Sequence, residues 1–188
     1  MSCIDEYKEL LRSRLSDYRY HHSLCVADSA VELAERYGAD KDKAFVAGLL
    51  HDITKEATAD EHAELFSLGG VQLSELERVN RKLWHAMSGA VYIKEKLNIT
   101  DCEILDAVRY HTTARAGMSL LEKVIYIADF ISADRDYNDV DVVRELAEKS
   151  IEETMLYTQR YSINELVFKG ACVHPDSVAC YNEILLNK

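Results

Sequence analysis

The sequence contains one proline, Pro175, and seven glycines among its 188 residues, and β-branched residues rarely alternate with polar ones. Few turn residues and little alternation argue against a sheet and favour helices. No apolar run approaches the roughly 20 residues that a membrane-spanning helix needs. The first residues also lack the basic-then-apolar order of a signal peptide. We therefore expect one all-α domain over residues 1–188, in the cytoplasm, with no membrane partner.

Cysteine pairs and excess basic charge are also missing. The five cysteines are an odd number and include no Cys-x-x-Cys pair, which argues against a disulfide framework or a cysteine-bound zinc. The formal net charge is −11, whereas nucleic-acid binding needs a basic face, so general nucleic acid is not an expected partner. A small phosphorylated ligand stays compatible with this charge, because a bound cation and a few basic side chains can reverse the field in one cleft.

Helical periodicity and helix-start patterns divide the chain into a series of helices. Gly38 and Asn98 are predicted to end two of them, and the charged helix near residue 150 is predicted to lie on the surface. The predicted helices cover 4–15, 20–37, 41–51, about 81–97, 140 to about 157, and Pro175 to about 186. The predicted capping boxes begin at Thr58, Ser74, Thr100, Ser119 and Ser162.

Six titratable side chains fall at or beside core-facing positions of five predicted helices. His22 shares an apolar stripe with Val26 and Leu33, and Asp129 lies in the apolar run VIYIADFI. One such residue alone is more often a hydrogen-bonded core residue than a ligand, but burying several unpaired carboxylates is costly. Imidazole and carboxylate ligands suit Fe, Mn, Co, Ni or Zn. The candidate metal ligands are His22, His51, Asp52, His85, His111 and Asp129.

The order His22, His51-Asp52, Asp129 resembles the H…HD…D pattern of the HD superfamily of metal-dependent phosphohydrolases. The strings RYHHSLCVADSAVELAERYG, GLLHDITK and RYHTTARAGMSLLEKVIYIADFISADRDY resemble the bacterial YqeK family of symmetrical diadenosine tetraphosphate hydrolases over nearly the whole chain. The resemblance implies an all-helical HD fold with a buried metal centre. It suggests a metal-site core over about 18–135, followed by C-terminal helices over about 139–188.

The resemblance also implies a binuclear divalent metal cofactor, with iron expected and Mn, Co, Ni or Zn as alternatives. The ligands then divide as His22, His51, Asp52 and Asp129 for one ion, and Asp52, His85 and His111 for the other. Asp52 would bridge the two ions and orient a hydroxide that attacks one phosphorus. The implied reaction cleaves a dinucleoside tetraphosphate into two nucleoside diphosphates, without a separate protein base.

Phosphate-binding candidates lie near these ligands in the sequence. Lys55 follows the His-Asp pair by one helical turn, and we favour a phosphate contact over a solvated surface lysine. Arg135 is equally compatible with a phosphate contact and with a helix-end cap or ion pair. Thr112 and Thr113 could donate hydroxyls to phosphate or simply form a turn. Arg115 is a further candidate of the same kind.

Several alternatives stay open at this stage. The same ligands suit an HD phosphohydrolase of another nucleotide, a di-iron oxygenase of the HD type, or a nucleotide sensor without hydrolysis. Trp84 and Tyr92 could stack on a base, but core packing is favoured for both. His21, His62 and His174 receive no catalytic role, and His174 is predicted to start the last helix. A homodimer is compatible with the sequence, which gives no clear interface.

Overall fold

The computed structural model describes residues 3–187, and in that range the secondary structure consists only of helices, which confirms the all-α class. One short 3-10 helix, Arg81–Leu83, precedes the sixth α-helix. No helix within residues 3–187 is long and apolar enough to cross a membrane. The α-helices are α1 (Cys3–Arg14), α2 (Asp17–Tyr37), α3 (Lys41–Leu50), α4 (Ala59–Gly69), α5 (Glu75–Val79), α6 (Trp84–Leu97), α7 (Cys102–Tyr110), α8 (Leu120–Ile131), α9 (Val140–Lys149), α10 (Ile151–Phe168) and α11 (Pro175–Leu186).

Helices α2 and α3 approach each other closely because small residues face each other along their contact. A Cβ atom added at Gly48 of α3 would lie 2.9 Å from the Cα atom of Ala27 in α2. Ala30 and Ala44 are also fully buried. This close packing brings the inward face of α2 next to the end of α3, where the His-Asp pair follows.

Helix α8 crosses the core and is one of the most apolar segments of the chain. Ile125, Ile127 and Ala128 are fully buried, and burying one such isoleucine contributes about 1.5–3 kcal/mol. Ser119 and Glu122 form the predicted capping box at the start of this helix. The packing of α8 against α2 and α3 fixes the position of Asp129 in its last turn.

The single charged helix predicted over 140 to about 157 is wrong. The helix is interrupted at Ser150, where the backbone is extended with φ −157°. The Ser150 side chain accepts a hydrogen bond from the Glu153 backbone N–H and so caps the next helix. Helix α10, which starts there, is not a surface helix, because it buries Met155 and Thr158. The sequence Ser-x-x-Glu at Ser150 is itself a helix-start pattern, and it marks the beginning of α10.

Three of the five predicted capping boxes are not formed, although Thr58 is an N-cap whose side chain accepts from the Glu61 backbone N–H. Ser162 lies inside α10 rather than at a helix start. Asp101 takes the role predicted for Thr100, because its carboxylate accepts from the Glu103 backbone N–H. The capping box at Ser74 and the left-handed helix ends at Gly38 and Asn98 are confirmed. The last helix starts at Pro175 as predicted, with His174 as its N-cap.

Candidate active site

All six predicted metal ligands converge in the interior of the fold. His51 and His111 are the residues that end α3 and α7, and His85 lies in the first turn of α6. The ring centroid of His51 lies 5.2 Å from that of His22 and 4.9 Å from that of His111. The centroids of His111 and His85 are 5.1 Å apart. The imidazoles therefore form a row, with Asp52 and Asp129 beside it. We call these six residues, His22, His51, Asp52, His85, His111 and Asp129, the His/Asp cluster.

Asp52 is the carboxylate that three of the imidazoles face. Its Oδ1 atom lies 3.2 Å from His85 Nε2 and 3.5 Å from His111 Nε2, and its Oδ2 atom lies 3.7 Å from His51 Nε2. Burial acts to raise the pKa of Asp52, but His51, the contacts with His111 and His85, and Lys55 together hold this pKa well below its usual range. Asp52 is therefore a buried carboxylate that stays ionised.

The hydrogen bonds of His51 and His111 determine which ring nitrogen faces the carboxylate. Each ring donates its Nδ1 proton to a carbonyl oxygen three residues earlier, Gly48 for His51 and Val108 for His111, both at 2.7 Å. A carbonyl can only accept, so in the neutral rings Nε2 carries a lone pair. Burial lowers the pKa of His51 to about 3 and that of His85 to about 4. Both rings are therefore neutral near pH 7.

The Nε2 atom of His51 is buried and has no hydrogen-bond partner within residues 3–187. It lies 3.7 Å from Oδ2 of the ionised Asp52, which accepts a long hydrogen bond of 3.4 Å from Arg19 but receives no proton from the His51 ring. Such a buried group is costly unless something compensates it. A cation bound between imidazole and carboxylate would satisfy both, so the residues present fit a metal site.

His22 has a different orienting partner. Its Nδ1 atom lies 2.8 Å from Asp134 Oδ2, and its Nε2 atom lies 3.0 Å from Asp129 Oδ1. Burial acts to lower the pKa of His22, but the two carboxylates raise it overall. Ser132 donates to the other oxygen of Asp134 at 2.8 Å. A carboxylate behind a ligating histidine is the usual arrangement at protein metal sites.

Two groups of ligand atoms within residues 3–187 have the spacing that metal binding requires. One group is His22, His51 and Asp129, and the other is His51, Asp52 and His111, with all atoms of a group within 4.8 Å of one another. His51 belongs to both groups. The division of ligands between two ions, with Asp52 as the bridge, stays a prediction.

A cavity of about 540 Å³ opens beside the cluster, reaching Asp129 and His85. Its size lies in the usual range for small-ligand sites. Four of the five predicted phosphate contacts line it: Lys55, Thr112, Thr113 and Arg135.

Lys55 contacts the cluster directly, with Nζ 3.3 Å from Asp52 Oδ1 and 3.0 Å from His85 Nε2. The hydroxyls of Thr112 and Thr113 are buried, and no other described residue forms a hydrogen bond with them. Arg135 forms an ion pair with Asp129 rather than with the aspartates adjacent to it in sequence. The arginine therefore adds positive charge at the mouth of the cluster.

Arg115 is the predicted phosphate contact that the structure places elsewhere. Its Nε atom donates to Glu122 at 2.6 Å, its Nη2 atom contacts Asp106 at 3.2 Å, and it lines a different cavity with Met155. Glu122 is buried, and a buried carboxylate requires a cation or several donors. Arg115 is therefore close to Thr113 in the sequence but does not line the cavity beside the His/Asp cluster.

Two functional candidates escaped the sequence interpretation. Asp134 looked like an ion-pair partner for Arg135, yet it contacts His22. Lys82 lies in the 3-10 helix and lines the cavity, and no ion pair to it occurs within the described range 3–187. Trp84 and Tyr92 do not line the cavity; Trp84 instead donates to the Glu77 carbonyl at 2.6 Å.

The fold and the cluster define a class that sequence comparison confirms. The HD domain model matches residues 19–134. The chain therefore belongs to the HD family, as the resemblance predicted. Within that family it belongs with the symmetrical bis(5'-nucleosyl)-tetraphosphatases, to which it is up to 38% identical.

One relative is the protein of Bacillus subtilis named "Bis(5'-nucleosyl)-tetraphosphatase, symmetrical", 38% identical over 95% of each chain. The protein of the same name in Staphylococcus aureus is 33% identical, over 95% of this chain and 93% of its own. A crystal structure from Clostridium acetobutylicum, described as a predicted HD superfamily hydrolase involved in NAD metabolism, is 34% identical. It superposes with a TM-score of 0.96 over 100% of both chains.

Proposed function

We propose that this chain is a symmetrical dinucleoside tetraphosphate hydrolase, which cleaves diadenosine tetraphosphate into two molecules of ADP. The observation that carries the proposal is the ionised Asp52, faced by the imidazoles of His51, His85 and His111 at one end of a cavity with unpartnered hydroxyls. The named activity of relatives that are 33% to 38% identical over nearly the whole chain supports the same reaction.

We further propose that the His/Asp cluster holds two divalent ions. His51 has one free lone pair, on Nε2, and can therefore serve one ion, while His85 and His111 beside Asp52 offer ligands for a second. Iron is the metal expected from the family resemblance, and Mn, Co, Ni and Zn suit the same ligands. When bound, such ions lower the pKa of water so that a nucleophile is available near neutral pH, and they stabilise charge on phosphoryl oxygens.

The residues of the chain supply position and charge for this chemistry. The carbonyls of Gly48 and Val108 hold His51 and His111 with their Nε2 atoms toward Asp52. Asp134 holds His22 toward Asp129 in the same way. Because these contacts are formed within the folded chain, the ligands need little rearrangement on binding.

The cavity wall provides groups suited to phosphate. The buried hydroxyls of Thr112 and Thr113, which are unpaired in the described part of the chain, can donate to phosphoryl oxygens. Lys55 adds a compact positive charge beside Asp52 and His85, and Arg135 adds a second one beside Asp129. The departing nucleoside diphosphate gains negative charge as the P–O bond breaks, and these cations stabilise that charge.

A phosphohydrolase acting on another nucleotide is the second candidate. It is favoured by the similar structure from Clostridium acetobutylicum, whose description places it in NAD metabolism. A di-iron oxygenase of the HD type is less well supported, because the free hydroxyls and cations of the cavity fit phosphate. A sensor without hydrolysis does not need the full set of metal ligands.

Product analysis tests the proposal. The purified protein is incubated with a panel of dinucleoside polyphosphates and other nucleotides, and the products are separated by chromatography. We expect two diphosphates from a tetraphosphate bridge. A triphosphate and a monophosphate, or turnover confined to another nucleotide, would contradict the proposal.

The variant Lys55→Ala separates hydrolysis from oxygenation. Loss of a charged hydrogen bond to phosphate costs about 1.5–3 kcal/mol, so we expect kcat/KM for diadenosine tetraphosphate to fall about tenfold or more. Lys41→Ala, which changes an exposed lysine of α3, is the matched control and should be unaffected. An oxygenase would instead consume oxygen and stay largely active in Lys55→Ala.

The role of the C-terminal helices is also a proposal. We propose that a core over about 18–135 binds the metals and that helices over about 139–188 contribute to substrate binding. Tyr161 and Leu166 of α10 and His174 before α11 line the cavity, which supports this division. The cytoplasmic location, the homodimer and the absence of general nucleic-acid binding stay predictions.

A further inference from the structure

We propose that Phe130, Tyr137 and Tyr161 form a platform that stacks on the base of one nucleoside of the substrate. We call these three residues the aromatic platform. The proposal rests on the proposed function, because it assigns the nucleoside part of the same substrate. It also implies that only one of the two nucleosides is bound in this cavity.

The three rings are contiguous and lie on one wall of the cavity. The centroids of Tyr137 and Tyr161 are 5.6 Å apart with planes inclined by 42°, and those of Phe130 and Tyr137 are 6.5 Å apart with nearly perpendicular planes. All three line the cavity that reaches His85 and Asp129. Each ring is half-buried, so part of its surface is free for a ligand.

The platform is held in place from behind. The Tyr137 hydroxyl donates to the Phe130 carbonyl at 3.1 Å, which fixes the tyrosine ring relative to the end of α8. Phe130 in turn packs on Tyr126, which is fully buried, with centroids 5.2 Å apart. A rigid, partly exposed aromatic surface binds a planar base with little loss of side-chain freedom.

The platform is continuous with the metal cluster. Phe130 directly follows Asp129 in the chain, and Tyr137 follows Arg135 by two residues. A polyphosphate held near Lys55 and the two threonines therefore extends past Asp129 and Arg135 toward the aromatic wall. Stacking accepts every base, because each base has a π face, so the platform predicts weak base preference.

One platform is enough for a symmetrical cut. The three rings form a single contiguous group, and they are the only Phe, Tyr or Trp side chains among the described residues that line this cavity. Holding one nucleoside then fixes which phosphorus lies at the cluster, two phosphates from the ribose. The second nucleoside needs no matching site, so a substrate with a nucleoside at one end should be cleaved at the same bond.

Adenosine 5'-tetraphosphate provides a direct test of this one-ended recognition. Hydrolysis of the bond after the second phosphate adds water across one P–O–P link and gives ADP and pyrophosphate. We expect these products, with a KM within about threefold of that for diadenosine tetraphosphate, since the stacked half is the same. ATP and phosphate, or no cleavage, would overturn the one-nucleoside claim.

The variant Tyr161→Leu tests the platform itself. It keeps an apolar side chain on α10 but removes the π face, and stacking on one base contributes about 1–3 kcal/mol. We expect KM for diadenosine tetraphosphate to rise about tenfold while kcat changes less than about twofold. Tyr161→Phe, which keeps the ring, should restore most of the affinity. Tyr181→Leu, a half-buried tyrosine of α11 that does not line the cavity, is the matched control.

Failure of the platform can be distinguished from failure of the proposed function. If wild-type protein produces two ADP and Tyr161→Leu has an unchanged KM, the platform is wrong and the proposed function stands. If wild-type protein does not cleave dinucleoside tetraphosphates, titration calorimetry with ADP on the metal-loaded protein still tests the platform. We then expect about tenfold weaker ADP binding in Tyr161→Leu, and equal binding would contradict the proposal.

Discussion

The buried histidines of the His/Asp cluster and the buried His62 of α4 lie in connected regions, yet their surroundings differ. Thr54 donates to the His85 carbonyl and contacts Ser88, and Ser88 in turn lies 2.8 Å from His62 Nδ1. His62 thus has a neutral hydroxyl partner, stacks on Phe66 and meets Trp84 edge to face. The cluster histidines face ionised carboxylates, with one Nε2 atom left unpartnered.

The difference in hydrogen-bond partners separates a candidate metal-binding histidine from a buried structural histidine. Both regions bury their imidazoles, and burial lowers the pKa of His62 as it does that of His51 and His85. Burial alone therefore does not identify a metal site. The proposed metal site depends instead on imidazole lone pairs that face an ionised carboxylate, as that of His51 faces Asp52.

The largest effect is expected from Asp52→Ala, which removes the carboxylate that His51, His85 and His111 face. Because both the charge and the shared ligand atoms are lost, we expect metal retention and hydrolysis to fall below detection. Elemental analysis and turnover of diadenosine tetraphosphate measure the two effects. Activity that persists in this variant would contradict a centre built around Asp52.

A matched pair of substitutions tests the comparison directly. His111→Gln and His62→Gln make the same change at two buried histidines. We expect His111→Gln to lose at least half of the bound metal, because His111 belongs to one of the two ligand groups. His62→Gln should keep its metal, because its partner is a serine hydroxyl. Equal metal content in the two variants would contradict the claim that His111 binds metal and His62 does not.

Asp134→Asn is expected to have an intermediate effect. The asparagine keeps an oxygen that can accept from His22 but removes the negative charge behind that ring. Loss of such an orienting carboxylate typically weakens metal affinity or activity about 10- to 100-fold. Asp136→Asn, at an exposed position two residues on, is the matched control. Metal titration and kcat/KM measure the effect in both variants. If Asp134→Asn and Asp136→Asn bind metal and turn over substrate equally well, Asp134 does not orient a metal ligand.

The smallest expected effect concerns pH and His62. Its pKa is lowered by burial, whereas an unfolded histidine has a pKa of about 6.5. As pH falls below about 6.5, the unfolded state binds a proton that the folded state does not, so stability decreases toward the folded pKa. We expect His62→Gln to flatten this decrease by at most about 1.4 kcal/mol per pH unit. Urea unfolding of both proteins at several pH values measures the difference, and parallel curves would show that His62 does not contribute.

The sequence located the members of the His/Asp cluster better than the residues that support them. His22, His51 and Asp129 could be found because each is a polar residue in an apolar helical pattern. Asp134 could not, because its role depends on a contact with His22, which is 112 residues away in the chain. Local spacing carries no information about such a distant contact.

The same limit explains the wrong expectations. Arg115 lies two residues after Thr113, but the buried Glu122 of α8 binds it beside a different cavity. Ser150 ends one helix and starts the next within a continuous charged pattern, so periodicity suggested one helix. Tyr137 and Tyr161 come together only because α10 packs against α8. Each of these features is set by tertiary packing rather than by local sequence.

The most direct test of the central claim is the product pattern of diadenosine tetraphosphate with the purified protein, before and after removal of metal by a chelator. A metal-dependent symmetrical hydrolase, with the His/Asp cluster at its centre, yields ADP as the nucleotide product and loses this activity on chelation. The activity should return when a divalent metal is added back. Formation of ATP and AMP, or ADP formation that chelation leaves unchanged, would contradict the account.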